Sequence, residues 1–251
     1  MVSGRKRDVA ASVRQRLLNY AATKKVDPNL VLLWYGLERL LYRLSISTHH
    51  DRFILKGAML FRVWGENAFR ATKDLDLLGV LRDDAEAVRK VFVAICAQGV
   101  EDDGLEFDAA SVRAAEIRTT QEYGGYRITL SAKLGSAVIP LQVDVGFGDA
   151  ITPAPEVSGF PSMLDQPGAQ IRVYPRETVV AEKFHAIVVL AMSNSRIKDY
   201  YDLWYLSRRF EFSGQLLAAA IAATFKRRAT GLPSETPQSA FLDRATPLAL
   251  I

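Results

Sequence analysis

The stretch FILKGAMLFRVWGENAFRATKDLDLLG, residues 53–79, constrains the chain more than any other. It reads as a strand, a glycine turn, a helix and a second strand, and that second strand keeps two aspartates among leucines. Residues two apart on a strand share a face, so Asp74 and Asp76 project together while Leu75 and Leu77 point to the packed side. Adjacent carboxylates raise each other's pKa unless a cation lies between them, and a divalent metal with hard oxygen ligands is the usual solution. A solvated strand edge is the other reading of an isolated Asp-x-Asp.

The surrounding residues weigh against that second reading. Gly57 ends one strand and opens a helix, which leaves the backbone N–H groups of Gly57, Ala58 and Met59 free to face a phosphate, and Lys56 adds a cation beside the turn. Further on, LQVDVGF places Leu141, Val143, Val145 and Phe147 on one face and Gln142, Asp144 and Gly146 on the other. Asp144 is thus a third strand carboxylate of the same pattern. Three carboxylates beside a phosphate-binding turn are what metal-assisted nucleotidyl transfer requires.

Around this centre the charge is uneven. Residues 1–25 hold seven Lys/Arg against Asp8, residues 208–228 hold five against Glu211, and the chain as a whole is +4, so the middle is acidic. Basic ends around an acidic centre suit a metal-dependent site acting on a polyanion, and solvated helix faces would give the same count. The single cysteine, Cys96, excludes an intrachain disulfide and sits in an apolar run. No apolar run approaches the roughly 20 residues of a membrane span. These features together predict a cytoplasmic protein that does not engage a membrane.

Apolar spacing of three and four predicts helices over 8–25, 28–46 and 83–98, and later over 177–192, 198–210 and 214–228. Alternation predicts strands over 52–57, 73–80, 126–134 and 138–147. The Pro-, Gly- and Ser-rich segment 149–168 reads as a linker, which divides the chain into residues 1–150 and 151–251. The tail beyond Gly231 carries little periodicity.

Strand, glycine turn, helix and RATKDLDLLG resemble the polymerase-β-like nucleotidyltransferases, and more narrowly the AbiEii/AbiGii-type toxins of toxin–antitoxin and phage-defence systems. The resemblance includes the LKG turn, Arg70, Thr72, Asp74 and Asp76, the strand Asp144–Phe147, ETVVAEKFHA with Glu182 and Lys183, and RIKDYYDLWYL with Asp199 and Asp202. It implies an α/β (α+β) fold, with a small mixed sheet, N-terminal helices and a C-terminal helical domain that closes the cleft. It implies transfer of a nucleoside monophosphate from an NTP to an acceptor hydroxyl, dependent on Mg²⁺ or Mn²⁺. Asp74, Asp76 and Asp144 would be the metal-binding and catalytic carboxylates. Lys56, Gly57, Ala58, Thr72, Lys183 and Asp202 would hold the nucleotide, and Lys183 with Asp199 would take part in catalysis. The basic ends favour an RNA acceptor, such as a tRNA 3′ end, and a cognate antitoxin is a further expected partner. Ala58, Met59 and Leu60 stand where many of these enzymes place a serine or threonine, which leaves phosphate binding to backbone groups and cations.

Lys183 lies between Val179, Val180, Phe184 and Ile187 on an apolar helix, so its ammonium needs an anionic partner. A triphosphate and a structural carboxylate such as Asp199 both qualify, and Asp202 could orient Lys183 or pair locally with Lys198. His185 reads as packing or a hydrogen-bonding partner, and no His/Cys spacing suits zinc. Tyr200, Tyr201, Trp204 and Tyr205 read mainly as helix packing, with one ring free to stack on a base. Three other functions remain open: transfer to a protein side chain, a catalytically dead binding module of the same fold, and a glycosyltransferase using Asp-x-Asp.

Overall fold

Aspartates and a proline set the first two helices. Asp8 caps α1 (Val9–Lys24) by accepting from the Ala11 N–H at 3.0 Å, and Asp27 caps α2 (Pro28–Ile46), whose first residue is proline. The computed structural model describes residues 8–65, 72–81, 83–117, 124–190 and 197–234. Arg5, Lys6, Arg7 and Arg70, part of the expected tail, and the end of the helix expected over 177–192 lie outside them.

The chain forms two compact units, residues 1–148 with 157–173 and residues 149–156 with 174–251. The first is built on β1 (Phe53–Lys56), β2 (Leu75–Gly79), β3 (Leu105–Ile117), β4 (Gly125–Leu134), β5 (Ala137–Phe147), β6 (Glu156–Gly159) and β7 (Gln170–Val173). They form a mixed sheet in the order β3-β4-β5-β2-β1-β7-β6, with β2–β5 and β1–β7 parallel. The sheet is larger than the sequence suggests because β3, β6 and β7 have weak patterns. β3 is an edge strand with a register shift between Asp108 and Arg113, and few of its residues are buried.

One sheet face is apolar. Leu75, Leu77, Val143, Val145 and Ile128 are buried there. Helix α4 (Ala85–Cys96) buries Val88, Val91, Phe92 and Ile95, as its spacing predicts, and Phe92 meets Phe53 of β1 with ring centroids 5.6 Å apart.

Helix α2 carries charges into this core. Arg39 and Arg43 converge on Asp103, with N···O distances of 2.9 and 2.7 Å, and all three side chains are almost fully buried. Burial alone would raise the Asp103 carboxyl, but the two guanidiniums outweigh it and hold the group below its ordinary range. The same helix pins the segment read as a linker. Glu38 accepts from Ser162 Oγ and the Met163 N–H, Tyr35 donates to Gln166, and Arg39 donates to the Pro167 carbonyl. Burial pushes the Glu38 carboxyl up, partly opposed by Ser162, Met163 and the nearby Arg62.

The second unit holds α5 (Arg176–Leu190), α6 (Ile197–Arg209) and α7 (Gly214–Arg227), with α5 packed on both others. Phe184 and His185 of α5 meet the Phe225 ring of α7 at 5.7 and 5.0 Å.

Candidate active site

Strand β2 is the seam of the candidate site. Its antiparallel pairing with β1 sets Lys56 opposite Asp76, its parallel pairing with β5 sets Asp76 opposite Asp144, and the β4–β5 hairpin sets Arg127 opposite Asp144. Cross-strand partners share a face, so Lys56, Asp76, Asp144 and Arg127 form a row across four adjacent strands. The charges run plus, minus, minus, plus. Alternation enforces this arrangement, because a one-residue slip would turn the aspartates into the core and expose Leu77 and Val145.

Gly57 abuts this row. Its φ is +71°, in the region that favours glycine, and a Cβ placed on it would lie 2.0 Å from Asp76 Oδ2 and 2.8 Å from Asp76 Cβ. A side chain at position 57 would therefore occupy the space of the carboxylate. The turn continues as a 3₁₀ segment, Gly57–Met59, into a single-turn helix, α3 (Leu60–Val63). The expected helix is thus short, and its dipole is correspondingly small. Met59 and Leu60 are buried in the core, so Ala58 is the one of the three residues after Gly57 that is not fully packed.

Asp74 immediately precedes β2 and is half-buried. Its position is fixed from behind. The Thr72 hydroxyl donates to the Asp74 carbonyl at 3.1 Å, and the Trp34 indole N–H of α2 donates to the Thr72 carbonyl at 2.8 Å. Thr72 therefore shapes the approach to Asp74, and Trp34 is a supporting residue with no sequence signal of its own.

Arg127 is the main residue that the sequence reading passes over. Its Nε and terminal nitrogen donate to Asp144 Oδ1 and Oδ2 at 2.9 and 2.8 Å, and Gln142 Nε2 lies 3.4 Å from Oδ1. Asp144 raises the Arg127 pKa further above its ordinary value, and the fields of Asp74 and Asp76 add to this. A signal did exist. The hairpin pairs Leu134 with Ala137, and counting back from that register brings Arg127 opposite Asp144.

Among the described residues, no group of three or more His, Cys, Asp and Glu side chains is placed to hold a metal ion. Asp144 is engaged by Arg127 instead. The other two hard-oxygen donors are Asp74 and Asp76, the latter against the Gly57 turn. Magnesium commonly takes one or two carboxylates from the protein and completes its octahedron with phosphate and water, so this pair fits a substrate-completed site and not a protein cage.

The expected residues of the second unit come together within that unit. Lys183 Nζ lies 3.0 Å from Asp199 Oδ1 and 2.5 Å from Asp202 Oδ2, with both aspartates buried. Asp202 thus pairs with Lys183 and not with Lys198. His185 is buried and accepts at Nδ1 from Arg228 at 3.3 Å, which leaves Nε2 to donate to Thr230 Oγ1 at 3.0 Å. Burial and the Arg228 charge push it down to about 4. Arg228 also pairs with Glu182 and Asp149, so it is an internal cation and does not add to a basic surface. Tyr201 meets Trp204 and Tyr205 on α6 at 5.8 and 6.3 Å, and Trp204 is exposed. No helix among the described residues is long and apolar enough to cross a membrane.

No curated protein matches the sequence. A solved structure of a presumptive nucleotidyltransferase from H. pylori is similar with a TM-score of 0.50 at 15% identity, covering 80% of this chain and 78% of that one, a likeness of fold. The protein JHP933 from Helicobacter pylori is similar with a TM-score of 0.46 at 15% identity, covering 75% of each chain. The family model of the nucleotidyl transferase AbiEii toxin, type IV toxin–antitoxin system, matches residues 39–250, a span that contains the charged row, the Gly57 turn and the Lys183 cluster. The chain therefore belongs to the AbiEii nucleotidyltransferase toxin family and is an NTP-dependent nucleotidyltransferase.

Proposed function

We propose that the protein is the toxin of a toxin–antitoxin system and transfers a nucleoside monophosphate from an NTP to an acceptor hydroxyl on RNA, with a tRNA 3′ end as the favoured acceptor. The observation that carries this reading is the register of Asp76 against Asp144, with Gly57 against Asp76. Asp74 and Asp76 would hold a Mg²⁺ or Mn²⁺ ion. When bound, that ion supplies charge neutralisation to the triphosphate.

The chain's own residues do the rest. The Gly57 turn presents backbone N–H groups without a side chain in the way, and Lys56, opposite Asp76, adds positive charge at the same end of the row. Asp144 would serve the acceptor hydroxyl, and both of its oxygens accept from Arg127 before the ion is bound. Ala58 contributes backbone alone, and Thr72 acts by holding the chain into Asp74. In the second unit, Lys183, held by Asp199 and Asp202, would be a nucleotide-binding residue.

The RNA acceptor is supported by charge. Lys24 and Lys25 in the first unit, and Arg208, Arg209, Lys226 and Arg227 in the second, are exposed. Such residues release counterions when they meet a phosphate backbone. A cognate antitoxin would be the physiological partner.

Incubating the protein with each α-labelled NTP, Mg²⁺ or Mn²⁺ and total RNA tests this directly. Label from one NTP in RNA of tRNA size, absent with Asp76→Asn, is the expected result. Label in protein would move the acceptor to a side chain. No transfer from any NTP to either acceptor would overturn the activity.

A further inference from the structure

Asp144 has two claimants. Both of its oxygens accept hydrogen bonds from Arg127, at 2.9 and 2.8 Å, in the two-pronged geometry that is the strongest available to a guanidinium and a carboxylate. A divalent cation in the Asp74–Asp76 patch would seek one of the same oxygens, at roughly 2.1 Å for magnesium. A guanidinium and a divalent cation on one carboxylate repel each other, so each weakens the other's hold on Asp144.

The balance between them is close enough to tip. The Arg127 side chain is 46% exposed and that of Asp144 21%, and ion pairs of such exposure contribute about 1 kcal/mol or less. The Arg127 side chain also has solvent into which it can turn. It stands at the end of the row opposite Lys56, so turning it outward leaves Lys56 and the Gly57 turn in place. Asp74 and Asp76 act on Arg127 as well, more weakly than Asp144, while Lys56 stands opposite Asp76 at the other end of the row.

We infer that Arg127 is a positioning residue that competes with the catalytic divalent cation for Asp144. With the cation absent, Arg127 neutralises and orients the third carboxylate. Binding of the cation displaces it and recruits Asp144. Asp144 is then engaged only when the cation is in place. This inference rests on the metal-dependent reading of the site.

The test is Mn²⁺ binding to the full-length protein, with and without a non-hydrolysable NTP analogue and calibrated against the analogue alone, followed by electron paramagnetic resonance of the free ion. Arg127→Gln should bind Mn²⁺ up to about fivefold more tightly than wild type, the gain expected when a competing pair of about 1 kcal/mol is removed. Arg127→Lys, a cation without the two-pronged fork, should fall between them. In the Asp144→Asn background, Arg127→Gln should bring a smaller gain, because the contested carboxylate is gone and only the fields of Asp74 and Asp76 remain. Unchanged or weaker Mn²⁺ binding by Arg127→Gln overturns the competition, as does an equal gain in the Asp144→Asn background. Absence of Mn²⁺ binding in wild type and Arg127→Gln alike, with the NTP analogue as well as without it, would instead remove the metal reading on which the competition depends. Circular dichroism of each variant checks that the exposed substitution leaves the fold intact.

Discussion

Gly57 and Asp76 occupy one another's space. A Cβ on Gly57 would lie 2.0 Å from the Asp76 carboxylate, and the glycine holds a φ of +71°. Gly57→Ala should therefore displace Asp76 and also strain the turn by about 1–3 kcal/mol. Nucleotide transfer should fall on the order of a hundredfold, as expected when a catalytic group is displaced by about an ångström. Full activity with labelled NTP would show that the two residues need not touch.

Asp76→Asn separates chemistry from folding. The side chain is half-buried beside Asp144 and not in the apolar core, so removing its charge should abolish transfer while leaving the melting temperature unchanged or slightly raised. A variant that unfolds would make the carboxylate structural.

Lys183 presents the opposite case. Taking its ammonium from two buried aspartates should destabilise the protein by about 3–5 kcal/mol, measured by urea unfolding of Lys183→Ala. The triple variant Lys183→Met, Asp199→Asn, Asp202→Asn removes these three charges together and should recover part of that loss. If this stabilised variant binds NTP as wild type does, the assignment of Lys183 to the triphosphate fails. A large loss of NTP affinity supports it.

His185 gives a pH signature. Its folded pKa is depressed to about 4 from an ordinary 6.5, so the folded state favours neutral imidazole. The resulting stabilisation is fully present above pH 6.5 and is lost as pH falls from there through about 4. At 1.36 kcal/mol per pH unit the full loss amounts to about 3 kcal/mol. Thermal unfolding of wild type and His185→Gln across pH 3.5–7.5 should converge toward the acid end. Parallel curves would show that His185 does not titrate in this window.

Asp103→Asn should cost about 3–5 kcal/mol, because it leaves the Arg39 and Arg43 guanidiniums buried without their shared carboxylate. Chemical denaturation checks this, and a change below 1 kcal/mol would mean that water reaches the pair.

The parts of the fold that the sequence made legible are those where one face is apolar and the other is not. β2 and β5 reveal Leu75, Leu77, Val143 and Val145 by alternation, and the same alternation leaves Asp76 and Asp144 on one face. β3 escapes because it is an edge strand, broken by a bulge, where alanines and charges replace the apolar rhythm. Arg127 escapes for a different reason. An arginine on a strand looks solvated until pairing brings a carboxylate opposite, and pairing is a property of two strands. Arg39 and Arg43 are hidden in the same way, since their partner Asp103 lies some 60 residues on and nothing near them in sequence requires them to be buried. Lys183 was legible as a buried cation in need of an anion, and the two aspartates that serve it were both named, although periodicity could not choose between them and a phosphate.

The strand order also has a kinetic consequence. Arg127 and Asp144 are joined through a hairpin with a two-residue turn, whereas Asp76 reaches Asp144 through a parallel pairing that closes a loop of 68 residues. Short loops close at less entropic cost, so the β4–β5 hairpin is expected to form early and β2 to dock against it later. Substitutions in the hairpin should then slow folding, while those in β2 should mainly speed unfolding, a contrast that stopped-flow chevron plots would resolve. On that order of events Asp144 meets its cation before it meets a second carboxylate, and the like charges are brought together only after one of them has been neutralised.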